Sequence, residues 1–79
     1  MKIKKNIAIS ETGFIFDPNT GESFSVNDTG KAILKLLKEE KSEKEIISWL
    51  TNHYDVDRLT AENNLNDFLS VLINFNIIE

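Results

Sequence analysis

Residues 14–30, FIFDPNTGESFSVNDTG, decide the fold. Asp17, Pro18, Asn19, Thr20 and Gly21 are turn formers: Pro18 presets φ, and Gly21 accepts φ > 0 without steric cost. The flanking FIF and ESFSV are rich in aromatic and β-branched residues, so the stretch reads as a β-hairpin. Asn27 and Asp28 follow at once and offer side-chain oxygens to the free N–H groups of a helix carrying Ile33, Leu36 and Leu37. A hairpin that runs directly into a helix cap leaves no linker, and sheet and helices read as one unit.

Two registers fit the hairpin. Pairing Phe16 with Phe24 puts Phe14, Phe16, Phe24 and Val26 on one face; a slip of one residue pairs Ile15 with Phe24 and exchanges the faces. The first is the expectation. Upstream, Ile3, Ile7 and Ile9 fall at alternate or near-alternate positions, Ser10 to Gly13 turns, and the result is an antiparallel meander of three strands.

Downstream the periodicity is helical. The first helix is expected over Asp28–Glu39, with Ala32, Ile33, Leu36 and Leu37 inward. Ser42-Glu43-Lys44-Glu45 is a capping box that opens a second helix with Ile46, Ile47, Leu50 and Tyr54 on its apolar face. Asp57 caps a third, with Val56 and Ala61 placed as a hydrophobic staple and Ala61, Leu65, Phe68, Leu72 and Phe75 expected in the core. Asn76 in the left-handed C′ position would make Ile77 and Leu72 the apolar contact of a Schellman stop. Residues 1–79 therefore read as a single α+β domain, winged-helix-like, with a three-stranded antiparallel sheet followed by three helices.

Composition excludes several kinds of chemistry. The chain has 79 residues, no cysteine and one histidine, His53, which removes disulfides, thiolate metal sites and histidine clusters. Glu39, Glu40, Glu43 and Glu45 sit on lysine-bearing helix faces and read as solvated surface, since acid–base work needs a carboxylate held in a pocket. His53, beside Trp49 and Tyr54, reads as a packing or rim residue. Gly13, Gly21 and Gly30 are too scattered for a phosphate loop. Neither catalysis, a cofactor nor a metal is expected. No apolar run of signal-peptide or membrane-spanning length occurs, so a soluble cytoplasmic protein is expected.

Charge is unevenly spread around a formal net of −4: all eight lysines precede residue 45, and Arg58 is the only later cation. The acidic C-terminal part opposes binding of a polyanion.

The sheet edges carry the functional signal. Lysines at positions 2, 4 and 5 guard the first strand, whereas Glu22–Val26 has neither lysine nor proline. Such an edge either is covered by the third helix or a dimer partner, or accepts an extended peptide as a further strand. On the third helix, Leu69 and Ile73 lie to one side of the core direction with Glu62 and Asn66 beyond them. They form either a shallow groove for apolar side chains or the margin of a wide core stripe.

Asp17-Pro18, Gly21, Phe24, Val26-Asn27 and Thr29-Gly30, followed by Ile33 and Leu37, resemble the turn, strand and helix-cap signature of the PqqD-like family. These are small peptide-binding proteins of pyrroloquinoline quinone biosynthesis, also known as recognition elements for ribosomally made, modified peptides. Ile46, Leu50, Tyr54, Phe68, Leu69, Leu72 and Ile77-Ile78 resemble its later helical pattern, and the likeness spans nearly the whole chain. The chain departs from it where a glycine commonly precedes the second helix, here Glu39-Glu40-Lys41, and where one commonly ends the third, here Asn76.

The resemblance implies that the leader segment of a precursor peptide adds beside the third strand and packs on the third helix. The protein then presents the precursor to a modifying enzyme, often a radical SAM protein. Carried over, Glu22, Ser23, Phe24, Ser25 and Val26 meet the peptide backbone, and Glu62, Leu65, Asn66, Leu69 and Ile73 line the opposite wall. The competing reading is a winged-helix module for nucleic acid or transcriptional control. It requires a basic recognition helix, whereas Lys44 lies between Glu43 and Glu45, and Arg58 faces Glu62 and Asp67.

Overall fold

In the computed structural model, which describes residues 2–79, the hairpin turn sets the pairing of the sheet. The Asp17 N–H donates to the Glu22 carbonyl at 2.9 Å, the Gly21 N–H to the Asp17 carbonyl at 2.8 Å, and the Asn19 N–H to Asp17 Oδ1 at 2.9 Å. Gly21 adopts φ 77°, in the region that favours glycine. With Asp17 and Glu22 closing the loop, β2 (Phe14–Phe16) and β3 (Ser23–Ser25) pair antiparallel with Ile15 opposite Phe24. The expected Phe16–Phe24 pairing is thus displaced by one residue. The turn closed by Asp17 and Glu22 fixes the count, and Ile15 rather than the two phenylalanines goes inward: Ile15 is 0% exposed, Phe14 44% and Phe16 38%.

The first strand is shorter than its alternating isoleucines suggest. β1 is Ala8–Ile9, paired with Phe16 and Ile15, in a sheet of order β1-β2-β3. The three N-terminal lysines precede it. Ile3 instead bridges Ile78, the Lys4 N–H donates to the Ile77 carbonyl, and the Glu79 N–H donates to the Lys2 carbonyl. The two ends of the chain therefore lie against each other.

Helix α1 (Asp28–Lys38) begins where Asn27 Oδ1 accepts from the Gly30 N–H at 2.8 Å. Helix α2 (Glu43–His53) carries the complete capping box between Ser42 and Glu45. Helix α3 (Arg58–Asn74) starts at Asp57, whose Oδ1 accepts from the Thr60 N–H at 2.7 Å. Its end is a Schellman stop: Asn76 has φ 57°, Ile77 N–H reaches the Leu72 carbonyl, and Asn76 N–H reaches that of Ile73. Helix α1 stops in the same way with Glu40 at φ 59°, Lys41 N–H reaching Leu36 and Glu40 N–H reaching Leu37.

The core joins Ile15 of the sheet to Ile33, Leu34 and Leu37 of α1, Ile46 and Leu50 of α2, and Ala61, Leu65, Leu69 and Leu72 of α3, closed below by Ile77 and Ile78. Leu34 takes an inward place that the expected stripe omitted, while Ala32 is only half-buried. Tyr54, expected on the α2 face, is its exposed C-cap and meets Trp49 edge-on. His53 is exposed and stacked on Trp49, its Nδ1 2.9 Å from the Trp49 carbonyl oxygen.

Candidate functional site

The hydrogen-bond alternation of an antiparallel ladder decides which groups β3 leaves free. Asp17 N–H reaches Glu22 O and Val26 N–H reaches Gly13 O, so these are the bonded pairs, with Phe24–Ile15 between them. Ser23 and Ser25 fall at the alternate positions and turn both main-chain groups away from β2. Among the described residues β3 pairs with β2 alone. Its outer margin therefore offers the N–H and C=O groups of Ser23 and Ser25 at the spacing of a strand. Side chains follow the same alternation: Phe24 and Val26 are half-buried on the inner face, while Ser23 and Ser25 are exposed with Phe14 and Phe16 on the outer one.

Helix α3 supplies the wall beside this margin. Phe75, its C-cap, has its ring centroid 4.7 Å from that of Phe24. Two turns earlier Phe68 approaches α1 and the end of β3. A Cβ built on Gly30 would lie 2.9 Å from the Val26 Cβ and 3.0 Å from the Phe68 Cε1, so only glycine lets these three elements meet. Consecutive helical residues are turned by roughly 100°, so Phe68, Val71 and Phe75 share the flank that faces β3. Val71 is 40% and Phe75 41% exposed, leaving this flank open to solvent. Asn27, Thr29, Asp67, Phe68 and Val71 are among the residues lining a hollow of about 380 Å³ at its upper end.

This geometry redistributes the residues expected to bind. Glu22 to Val26 form the margin. Leu65 and Leu69, at 0% and 4% exposed, are core residues and line no surface. Ile73, two residues before Phe75, points roughly the opposite way, and Glu62 and Asn66 share that far flank. Glu62 there receives Arg58 Nε at 3.2 Å. The core axis of α3 runs through Ala61, Leu65, Leu69 and Leu72, so the wide-stripe reading holds for Leu69 and not for the exposed Ile73. Phe68 and Phe75, expected inside, flank it on the β3 side. Val71 and these two phenylalanines, none of them among the residues expected to bind, are the ones that the structure sets beside β3. Their i, i+3, i+7 spacing, a second apolar stripe beside the first, was the available signal.

A larger hollow, about 560 Å³, lies between α1 and the β1–β2 turn and is lined in part by Lys31, Lys35 and Lys38. No residue of β3 lines it. Unpaired main-chain groups, rather than volume, distinguish the candidate site, because an extended chain is recognised through its backbone.

Shifted titrations occur away from this cleft. The Thr60 N–H holds the Asp57 carboxyl below the usual aspartate range, and the Ser42 N–H does the same for Glu45. Both are helix caps. No group of three or more potential metal ligands occurs among the described residues, and no helix is long and apolar enough to cross a membrane.

Comparison with known proteins agrees with the fold. The family described as coenzyme PQQ synthesis protein D (PqqD) matches residues 13–78. The structure of TbiB1 in complex with the TbiA(beta) leader peptide is 33% identical and superposes with a TM-score of 0.95, covering 100% of this chain and 95% of that one. Lasso peptide synthetase B1 complexed with the leader peptide is 25% identical, with a TM-score of 0.85 over 98% of this chain and 93% of that one. Among curated proteins none matches in sequence.

Proposed function

Because the chain belongs to the PqqD family, we propose that it is a non-catalytic recognition domain for the leader segment of a ribosomally made precursor peptide. The leader adds as a fourth strand along Glu22–Val26 and rests its inward side chains on Phe24, Phe75, Phe68 and Val71. Residues 1–79 act as one unit that holds the precursor for a modifying enzyme of radical SAM type, and both partners work in the cytoplasm.

The observation that carries this reading is the unpaired margin of β3. Ser23 and Ser25 turn their main-chain groups outward, with an aromatic wall held 4.7 Å from Phe24. The leader peptides bound by the two structural neighbours support the choice of guest. Nucleic-acid binding is disfavoured because Asp67 and uncharged residues, with no cation, line the hollow beside α3.

The test is an amide NMR titration with the leader of a short precursor encoded near this chain. The expected result is that the largest shifts fall on Ser23, Ser25 and the Phe68–Phe75 flank of α3. Shifts confined to α2, or elicited only by duplex DNA, would overturn the proposal.

A further inference from the structure

The cleft between β3 and α3 is flanked by Phe24, Phe68, Val71 and Phe75 and has a carboxylate toward each end. At the hairpin end stands Glu22, exposed and two residues before Phe24 on the same face of the strand. Helix α3 also finishes there, beside Phe24, and its last turn contains no basic residue. A helix C-terminus carries partial negative charge, which a cation nearby would complement. At the other end, Asp67 lines the hollow with Asn27 and Phe68.

Among the described residues, neither Glu22 nor Asp67 takes part in an ion pair, whereas Asp28 is held by Lys31 and Glu62 by Arg58. No lysine or arginine lines that hollow. The lysines Lys31, Lys35 and Lys38 instead surround the larger hollow between α1 and the β1–β2 turn. Three lysines thus stand at the other hollow, and among the described residues Glu22 and Asp67 are left without an ion-pair partner.

Resting on the reading of the β3 margin as a peptide site, we infer that the segment it takes is a basic-flanked apolar strand. About five residues of extended chain cover the span from Glu22 to Val26 at roughly 3.4 Å each. Those directed inward meet Phe24, Phe75 and Val71 and are apolar. Lysine or arginine just outside them faces Glu22 at one end and Asp67 at the other. An acidic peptide of the same apolar pattern meets like charge at both ends and is rejected, so the carboxylates set specificity where the backbone cannot.

The experiment selects from random twelve-residue displayed peptides on the folded chain and on its E22K/D67K variant. Both positions are exposed, so the variant keeps the fold. Enriched peptides are assigned to the cleft by their shifts of the Ser23 and Ser25 amides. Expected is lysine and arginine flanking an alternating apolar core for the natural chain, and aspartate and glutamate for the variant. In the best peptide, exchanging the flanking cations for glutamate should weaken binding about three- to tenfold at low ionic strength. The difference should shrink in about 1 M salt. Cleft-binding peptides with no charge preference, or with the same preference for both proteins, overturn this inference and leave the peptide site standing. If no enriched peptide shifts Ser23 and Ser25, the peptide site itself fails and the inference falls with it.

Discussion

The rings of Phe24 and Phe75 lie 4.7 Å apart and tilted by 31°, joining the middle of the outer strand to the C-cap residue of α3. This contact holds the open margin and the helical wall at a fixed separation, so a guest strand meets a cleft already shaped. Replacing Phe75 by alanine should lower leader affinity about tenfold while costing the fold about 0.5–1.5 kcal/mol for the lost pair, plus a part of its half-exposed area. Calorimetric titration beside a thermal melt checks both. Unaltered affinity in a folded variant would remove Phe75 from the wall.

Ser25 turns its N–H outward, so proline there deletes a donor offered to the guest and none used by β2. Ser25→Pro is expected to retain the circular dichroism spectrum and lose most leader binding. Phe24→Pro removes a bond of the ladder itself and should destabilise the sheet. Equal behaviour of the two variants would contradict the assigned alternation.

Leu69 and Val71 are two residues apart on α3 and have opposite fates. Leu69→Glu buries an unpaired carboxylate and should unfold the domain near neutral pH. Val71→Glu stands on the exposed flank beside β3 and should melt near the natural temperature while binding the leader at least several-fold more weakly. Denaturant unfolding and peptide titration on both variants separate a core position from a wall position.

Glu40 sits at φ 59° in the stop of α1, a conformation unfavourable for a residue with a side chain. Glycine there should stabilise the domain by about 0.5–1 kcal/mol. The loss of the exposed ion pair with Lys2, 3.0 Å long, offsets little of that gain. A lower denaturation midpoint in Glu40→Gly would show the pair to matter more than the backbone.

Asp57 and Glu45 accept backbone N–H donors in the folded chain, which holds both carboxyls below their ordinary values. The unfolded chain lacks those bonds and takes up protons first, at the ordinary values. Their contribution is therefore complete above about pH 5, beyond the ordinary carboxyl values, and is lost as pH falls through the depressed ones. The melting temperature should decline across that window, and less steeply in Asp57→Asn/Glu45→Gln. An equal slope in the double variant would place acid sensitivity elsewhere.

Much of this architecture was legible from local chemistry. Asn27, Ser42 and Asp57 cap their helices, and Asn76 stops the third, because each cap is an arrangement within a few residues that needs no tertiary knowledge. The hairpin register was not legible, because two pairings fit the letters, while the turn closed by Asp17 and Glu22 sent Phe14 and Phe16 outward. The phase of α3 was misjudged for a related reason. Ala61, Leu65 and Leu72 are compatible with either Phe68 or Leu69 as the next core residue, and only the position of β3 shows which side is the cleft. The margin itself was found because an absence of lysine and proline along a strand is visible in the letters.

Residues 2–4 and 77–79 are hydrogen-bonded to one another, immediately after the helix stop that carries Phe75. An appended protein would thus emerge beside the same end of the cleft whether it were spliced before the first of these segments or after the second. Under the proposed function, the order in which this domain and a modifying enzyme are fused would then be nearly irrelevant to how the tethered catalyst meets the precursor, and linker length becomes the quantity that matters.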